Sequence, residues 1–256
     1  MTMMFQSLLR FEGQLNDLLA PANRRVFFTH SFLENPSIKD VIESLGVPHP
    51  EVNVIFINGK TVDFSYSLQH GDQGIIYPHS LFPELPHEAI IQLQPPLPQP
   101  VGFVLDVHLG KLASLLRLLG FDTLYRNDYE DAEIAQISAA QQRIVLTRDK
   151  GVLMRKPVVY GYYVRETDPQ KQILEVLGRY NLFALSRPMS RCIRCNGIIK
   201  PVEKAAIIEQ LPRQTCQIYE NFYQCNHCNQ IYWQGTHYQK MQKMVETILE
   251  NSHQLP

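Results

Sequence analysis

Apolar positions along this chain recur in more than one period, and the pattern changes near residue 100. Before that point, Phe5–Phe11 and Arg25–Thr29 are short apolar and β-branched runs of strand length. Ser37 stands where a helix N-cap belongs, ahead of Ile38–Leu45, and Gly46 follows as the stop. Val52–Ile57 predicts another strand and runs into Asn58-Gly59, a strong hairpin-turn signal. Gly71-Asp72 turns the chain again before Ile75–Tyr77. Strand, strand, helix, strand, strand predicts a small mixed α/β domain over residues 1–94.

Pro95-Pro96-Leu97-Pro98-Gln99-Pro100 holds four prolines in six residues, which excludes a helix interior or a central strand. Residues 95–100 are therefore expected to form a semi-rigid linker. Beyond it the pattern alternates. Val101–Leu105 reads as a buried strand. Leu109, Leu112, Leu116 and Leu119 share one helical face, with Gly120 as the stop. Phe121–Tyr125, Arg143–Leu146 and Val158–Val164 predict strands, and Asp131–Gln141 and Pro169–Leu177 predict helices. This alternation implies α/β architecture over residues 101–186, a parallel sheet with crossover helices.

Residues 187–256 differ again. Cys192 and Cys195 form one Cys-x-x-Cys pair, and Cys225 and Cys228 form a second. Two such pairs suit a tetrahedral four-thiolate site, so Cys192, Cys195, Cys225 and Cys228 predict a zinc ribbon with structural Zn²⁺. Iron is the chemical rival. Cys216 is the odd cysteine and reads as a small hydrophobe. Trp233 reads as part of the small core, and Gln239–Leu249 as a closing helix.

Composition adds limits. The chain has 256 residues, 45% of them hydrophobic and 19% charged, which is globular composition rather than disorder. Net charge is −1, so a histone-like binder is excluded. The distribution is uneven: 5 basic against 10 acidic residues in 1–100, 11 against 10 in 101–186, and 8 against 5 in 187–256. Nucleic-acid contacts are expected in the later two thirds. No secretory leader or membrane-spanning run is visible in the sequence, so a cytoplasmic protein with no membrane partner is expected.

Ligands of open parallel sheets gather at the C-terminal strand ends. Asp106 follows the first strand of this region, and Asp149 follows the third through Thr147-Arg148-Asp149. Asp131 opens the helix before that third strand. Carboxylates at one sheet edge repel unless a cation lies between them, and Mg²⁺ or Mn²⁺ suits oxygen ligands. The same three residues could equally be helix caps. Lys111, Arg148, Lys150, Arg191 and Arg194 are the candidate phosphate contacts, or solvated surface.

Three phrases in the first region, Ser37–Val52, Val52–Lys60 and Gly71–Pro78, resemble ubiquitin-like domains of the sulfur-carrier type. The resemblance implies a β-grasp fold. The chain runs on where a carrier would end in Gly-Gly, so binding or scaffolding is implied, with room for a protein partner. DVHLGKLASLLRLLGFDTLY (Asp106–Tyr125), the stretch Asn127–Leu153 and QILEVL (Gln172–Leu177) resemble the Mut7-C ribonuclease family, which is similar to PIN-like nucleases. This second resemblance covers essentially the whole chain. It implies a PIN-like sheet and RNA cleavage, with Asp106, Asp131 and Asp149 as catalytic residues and ligands of Mg²⁺ or Mn²⁺. Lys111 lies in the family's Gly-Lys-Leu-Ala phrase. Ser114 departs from it, where the family commonly continues with a basic residue.

The leading expectation is thus a metal-dependent ribonuclease acting in RNA processing or decay. The alternative is a non-catalytic nucleic-acid- or protein-binding module with a structural zinc site.

Overall fold

The computed structural model describes residues 4–84 and 90–251. The elements begin with β1 (Phe5–Phe11), β2 (Phe28–Phe32), α1 (Ile38–Ser44), β3 (Val52–Ile57), β4 (Lys60–Val62) and β5 (Gln73–Pro78). Next come β6 (Gly102–Leu105), α2 (Gly110–Leu118), β7 (Asp122–Leu124), α3 (Asp131–Gln141), β8 (Ile144–Thr147), α4 (Lys150–Leu153), β9 (Gly161–Tyr163) and α5 (Pro169–Tyr180). The last third holds β10 (Ile199–Val202), α6 (Lys204–Ile207), α7 (Arg213–Ile218), β11 (Phe222–Cys225), β12 (Ile231–Trp233) and α8 (Thr236–Glu250). Two compact units result. One joins the chain up to Pro98 with Glu130–Tyr163; the other joins Gln99–Tyr129 with the chain from Val164 onward.

In the first unit the sheet order is β2-β1-β5-β3-β4. β1 and β5 are parallel, and the other neighbours are antiparallel. That order, crossed by one helix, is a β-grasp sheet. α1 begins where Ser37 Oγ accepts the Asp40 N–H at 3.1 Å, the expected cap. Its apolar face, Ile38, Val41 and Ile42, packs with Leu9, Phe11, Ile55 and Ile76 in one core. Asn58 and Gly59 have φ of 50° and 80°, both positive as the tight hairpin requires.

Two details depart from the expected pattern. The second strand lies three residues later than Arg25–Thr29, because Arg25 has φ 59° and its N–H donates to Asn16 Oδ1 at 2.6 Å. A residue held in the left-handed region cannot start a strand. β4 is an additional strand of three residues, too short to show a period.

The central region is parallel α/β, as its alternation implies. β8 and β9 pair in parallel in the first unit, and β6 and β7 pair in parallel in the second. All four residues of β6 and of β8 are buried, as strands covered on both faces require. In the second unit α2 packs on α5 through Leu112, Leu116, Ile173 and Leu177, all fully buried. Gly120 ends α2 with φ 90°, and any Cβ there would collide with the Arg187 carbonyl. β10, β11 and β12 form an antiparallel meander. No helix among the described residues is long and apolar enough to cross a membrane.

Candidate functional site

The four paired cysteines meet. Their sulfurs all lie within 4.8 Å of one another, and they are the group of ligand side chains gathered within metal reach among the described residues. Cys192 Sγ is 3.6 Å from Cys228 Sγ, and Cys195 Sγ is 3.4 Å from Cys225 Sγ. A tetrahedral zinc with Zn–S near 2.3 Å would set these edges at about 3.8 Å. Two tight turns bring the sulfurs in, each helped by an asparagine with positive φ, Asn196 at 71° and Asn229 at 57°. Gly197 is needed for space, since a Cβ there would stand 2.6 Å from Cys225 Sγ. The four thiols form a closed soft donor set, so the cluster could hold zinc. Cys216 lies elsewhere, against Ile207, Leu211 and Phe222, as a small hydrophobe should.

Electrostatics around the sulfurs are unequal. Burial pushes the Cys192 thiol up, but hydrogen bonds from Tyr232 Oη, 3.0 Å away, and from nearby backbone outweigh it and bring it to about 7. Burial raises the Cys195 thiol to about 12. Tyr232 is itself pushed up by burial and by its bond to Cys192.

A buried polar network ties the cysteine region to β7. Asn196 Oδ1 accepts the Thr123 N–H at 2.9 Å, and its Nδ2 donates to Asp122 Oδ1 at 2.8 Å. Arg191 Nη2 reaches Asp122 Oδ2 at 3.3 Å. Arg117, only 5% exposed, donates from Nε to Thr123 O at 3.0 Å and from Nη1 to the carbonyls of Ile193 and Arg194 at 3.2 and 3.1 Å. Its guanidinium would face the negative charge of a metal-bound four-thiolate cluster. Sequence reading missed Arg117, Asp122 and Asn196. The available signals were an arginine inside a leucine-rich helix and an asparagine directly after the first cysteine pair.

The three aspartates occupy distinct local settings. Asp106 follows β6 directly, is 4% exposed, and its Oδ1 accepts the His108 N–H at 2.8 Å, capping the turn before α2. Asp149 follows β8 and is exposed; its Oδ1 accepts the Gly151 N–H at 2.7 Å at the start of α4. Its own N–H donates to the buried Thr147 Oγ1 at 2.8 Å. Asp131 opens α3 without capping it, and its Oδ2 lies 3.5 Å from Arg155 Nη2. Asp106 belongs to the second unit; Asp131 and Asp149 belong to the first.

The five candidate basic residues are equally diverse. Lys111 is exposed in the first turn of α2. Arg148 is half-buried between Thr147 and Asp149. Lys150 Nζ donates to Leu18 O at 2.6 Å, Arg191 is held by Asp122, and Arg194 Nη1 donates to Gln230 Oε1 at 2.7 Å.

Comparison with known families adds two results. Residues 101–245 match the family model described as the Mut7-C RNAse domain, and residues 4–81 match that of Mut7-C ubiquitin. No curated protein and no solved structure matches the chain.

Proposed function

The chain belongs to the Mut7-C family, with the RNAse domain over 101–245 and the ubiquitin domain over 4–81, and from that premise we propose that it is a metal-dependent ribonuclease hydrolysing RNA phosphodiester bonds. The family match carries the reading. It is supported by Asp106 directly after β6 and Asp149 two residues after β8, the position where α/β sheets place their chemistry. Asp106, Asp131 and Asp149 are the residues proposed to hold Mg²⁺ or Mn²⁺. Such an ion supplies a nucleophilic water and neutralises developing phosphate charge. Backbone N–H groups hold Oδ1 of Asp106 and Oδ1 of Asp149, which fixes the direction of each carboxylate. Thr147 fixes the Asp149 backbone, so the carboxylate is aimed by a buried hydroxyl. Lys111, Arg148, Lys150, Arg191 and Arg194 are the proposed contributors of positive charge toward RNA phosphates.

The proposal extends to the resident metal and the setting. Cys192, Cys195, Cys225 and Cys228 hold structural Zn²⁺ in this reading, and paired Cys-x-x-Cys ligands of that kind suit a reducing cytoplasm. The chain is organised as domain 1–94, linker 95–100, nuclease domain 101–186 and ribbon 187–256. A protein partner would bind the ubiquitin-like domain.

The test is cleavage of labelled RNAs and single-stranded DNAs with and without Mg²⁺ or Mn²⁺, beside Asp149→Asn. Cutting should require the ion and collapse in the variant. Equal cutting by both proteins would defeat the reading. Binding without cutting on any substrate would favour the module that binds but does not cleave.

A further inference from the structure

Unit two carries a groove that the proposed chemistry does not use. Three adjoining cavities of about 190, 550 and 600 Å³ share Ile193 and Met241 as a common wall. The two larger ones are in the range of ligand sites, about 300–1,000 Å³. One end opens beside Lys111 and Ser114 in the first turns of α2. Lys111 follows Asp106 by five residues, across a single helical turn. The other end is walled by Tyr223, Trp233 and Tyr238, with His237 on the rim.

Three observations constrain the occupant. First, the rings are half-buried, and Tyr223 Oη, Tyr238 Oη and Trp233 Nε1 have no hydrogen-bond partner among the described residues. All three line one cavity, Trp233 with part of its ring packed on the core of Ile207, Leu211 and Phe222 as its sequence reading expects, and such rings with polar edges suit a planar, polar-edged ligand. Second, Lys111 and Arg194 line the two larger cavities and bring positive charge to both, with Asp168 beside Lys111 as the one acidic lining side chain, while Arg191 is paired with Asp122. Lys111 and Arg194 thus offer one cation in each of the two larger cavities. Third, the Lys111 end lies on the first turn of α2, five residues after Asp106 in the chain.

We propose that this groove is the track for single-stranded RNA, with unpaired bases stacking on Trp233 and Tyr238 and the phosphates passing Lys111 and Arg194. The inference rests on the ribonuclease reading and deepens it: the substrate is unpaired strand. Stacking rings accept any base, whereas a duplex hides the base faces, so recognition is by strandedness. A partner-protein helix would also fit the apolar wall of Ile193 and Met241, but the aromatic rings lining the other end favour planar bases over aliphatic side chains.

Trp233 is the only tryptophan of the chain, so its emission reports the site in the unaltered protein. The zinc-loaded full-length chain is titrated with a short single-stranded oligoribonucleotide without added Mg²⁺ or Mn²⁺, and anisotropy of a labelled strand is followed in parallel. Emission should quench saturably with that strand, and neither a blunt duplex nor an abasic strand of equal length should reproduce it. Tyr238→Ala should weaken binding about tenfold, Tyr238→Phe should not, and both should retain their zinc. If anisotropy reports binding while Trp233 emission is unchanged and Tyr238→Ala binds normally, the strand runs elsewhere and the groove is left to a protein helix. Equal competition by the abasic strand would overturn the proposal in favour of phosphate contacts alone. In both cases ion-dependent cleavage by the wild type keeps the ribonuclease reading alive. Absence of both binding and cleavage removes the two together.

Discussion

Lys150 donates from Nζ to the Leu18 carbonyl at 2.6 Å, so the residue next to Asp149 is held by the N-terminal domain. Two further bonds cross between the same regions. His49 Nε2 lies 2.8 Å from Val158 O, and Glu51 Oε1 accepts the Tyr163 N–H at 2.6 Å. The β-grasp sheet is thus built into the unit that carries Asp131 and Asp149.

This arrangement predicts that the N-terminal domain cannot be removed cleanly. Glu51 is 1% exposed, and Glu51→Ala would leave the Tyr163 N–H without this acceptor, at a cost of about 1–3 kcal/mol. A chain beginning at residue 101 loses Leu18, His49 and Glu51 at once. It should melt lower or aggregate, and hydrogen exchange should show α4 and β9 losing protection. Unchanged protection would show that these bonds contribute little.

Metal content gives a second prediction. Purified protein should hold about one zinc per chain, and Cys225→Ser should lose it. Thiols must shed protons to ligate, and Cys195 starts from a thiol pushed up to about 12 while Cys192 is drawn down to about 7. Zinc uptake near neutral pH should release protons into a weak buffer. The metal-bound form carries fewer protons, so lowering pH favours release and apparent affinity should fall. A chelator competition series from pH 8 to about 6 reads the sign directly; affinity rising on acidification would contradict a thiolate site.

A third prediction concerns Arg117. Its side chain fills three carbonyls beside the first cysteine pair. Arg117→Leu keeps the bulk yet leaves those carbonyls unpaired, costing roughly 1–3 kcal/mol. Zinc should exchange faster in the variant, while the melting of the β-grasp sheet changes less. Asn196→Ala should act in the same direction, because it leaves the Thr123 N–H without its partner. Wild-type exchange rates in both variants would confine the network to packing.

Local signals were legible because their causes are local. Ser37 caps α1, Asn58-Gly59 turns a hairpin, and the four cysteines meet across 29 intervening residues because two-residue spacings belong to metal knuckles. The α/β alternation was legible for a similar reason: buried parallel strands are apolar throughout. What sequence could not show is pairing at long separation. His49 with Val158, and Arg117 with the Ile193 carbonyl, join residues 109 and 76 apart. Backbone carbonyls carry no side-chain signature. Arg25 misled for the opposite reason: its left-handed φ is imposed by Asn16.

The last prediction separates capping from metal holding at Asp106. Its Oδ1 accepts the His108 N–H at 2.8 Å, a role that asparagine also fills. Asp106→Asn should therefore keep stability to within a few tenths of a kcal/mol, whereas Asp106→Ala should lose about 1 kcal/mol. Charge behaves differently. Both variants remove the anion that would hold Mg²⁺ or Mn²⁺, so under the ribonuclease reading both should lose nearly all cleavage. Asp131 offers the matching control, since its contact with Arg155 is exposed and Asp131→Asn should cost under about 1 kcal/mol of stability. Thermal melts and single-turnover cleavage on the same preparations decide the matter. If Asp106→Asn cuts RNA at the wild-type rate and only the alanine variant falls, in step with its stability, Asp106 is a cap and its carboxylate holds no metal.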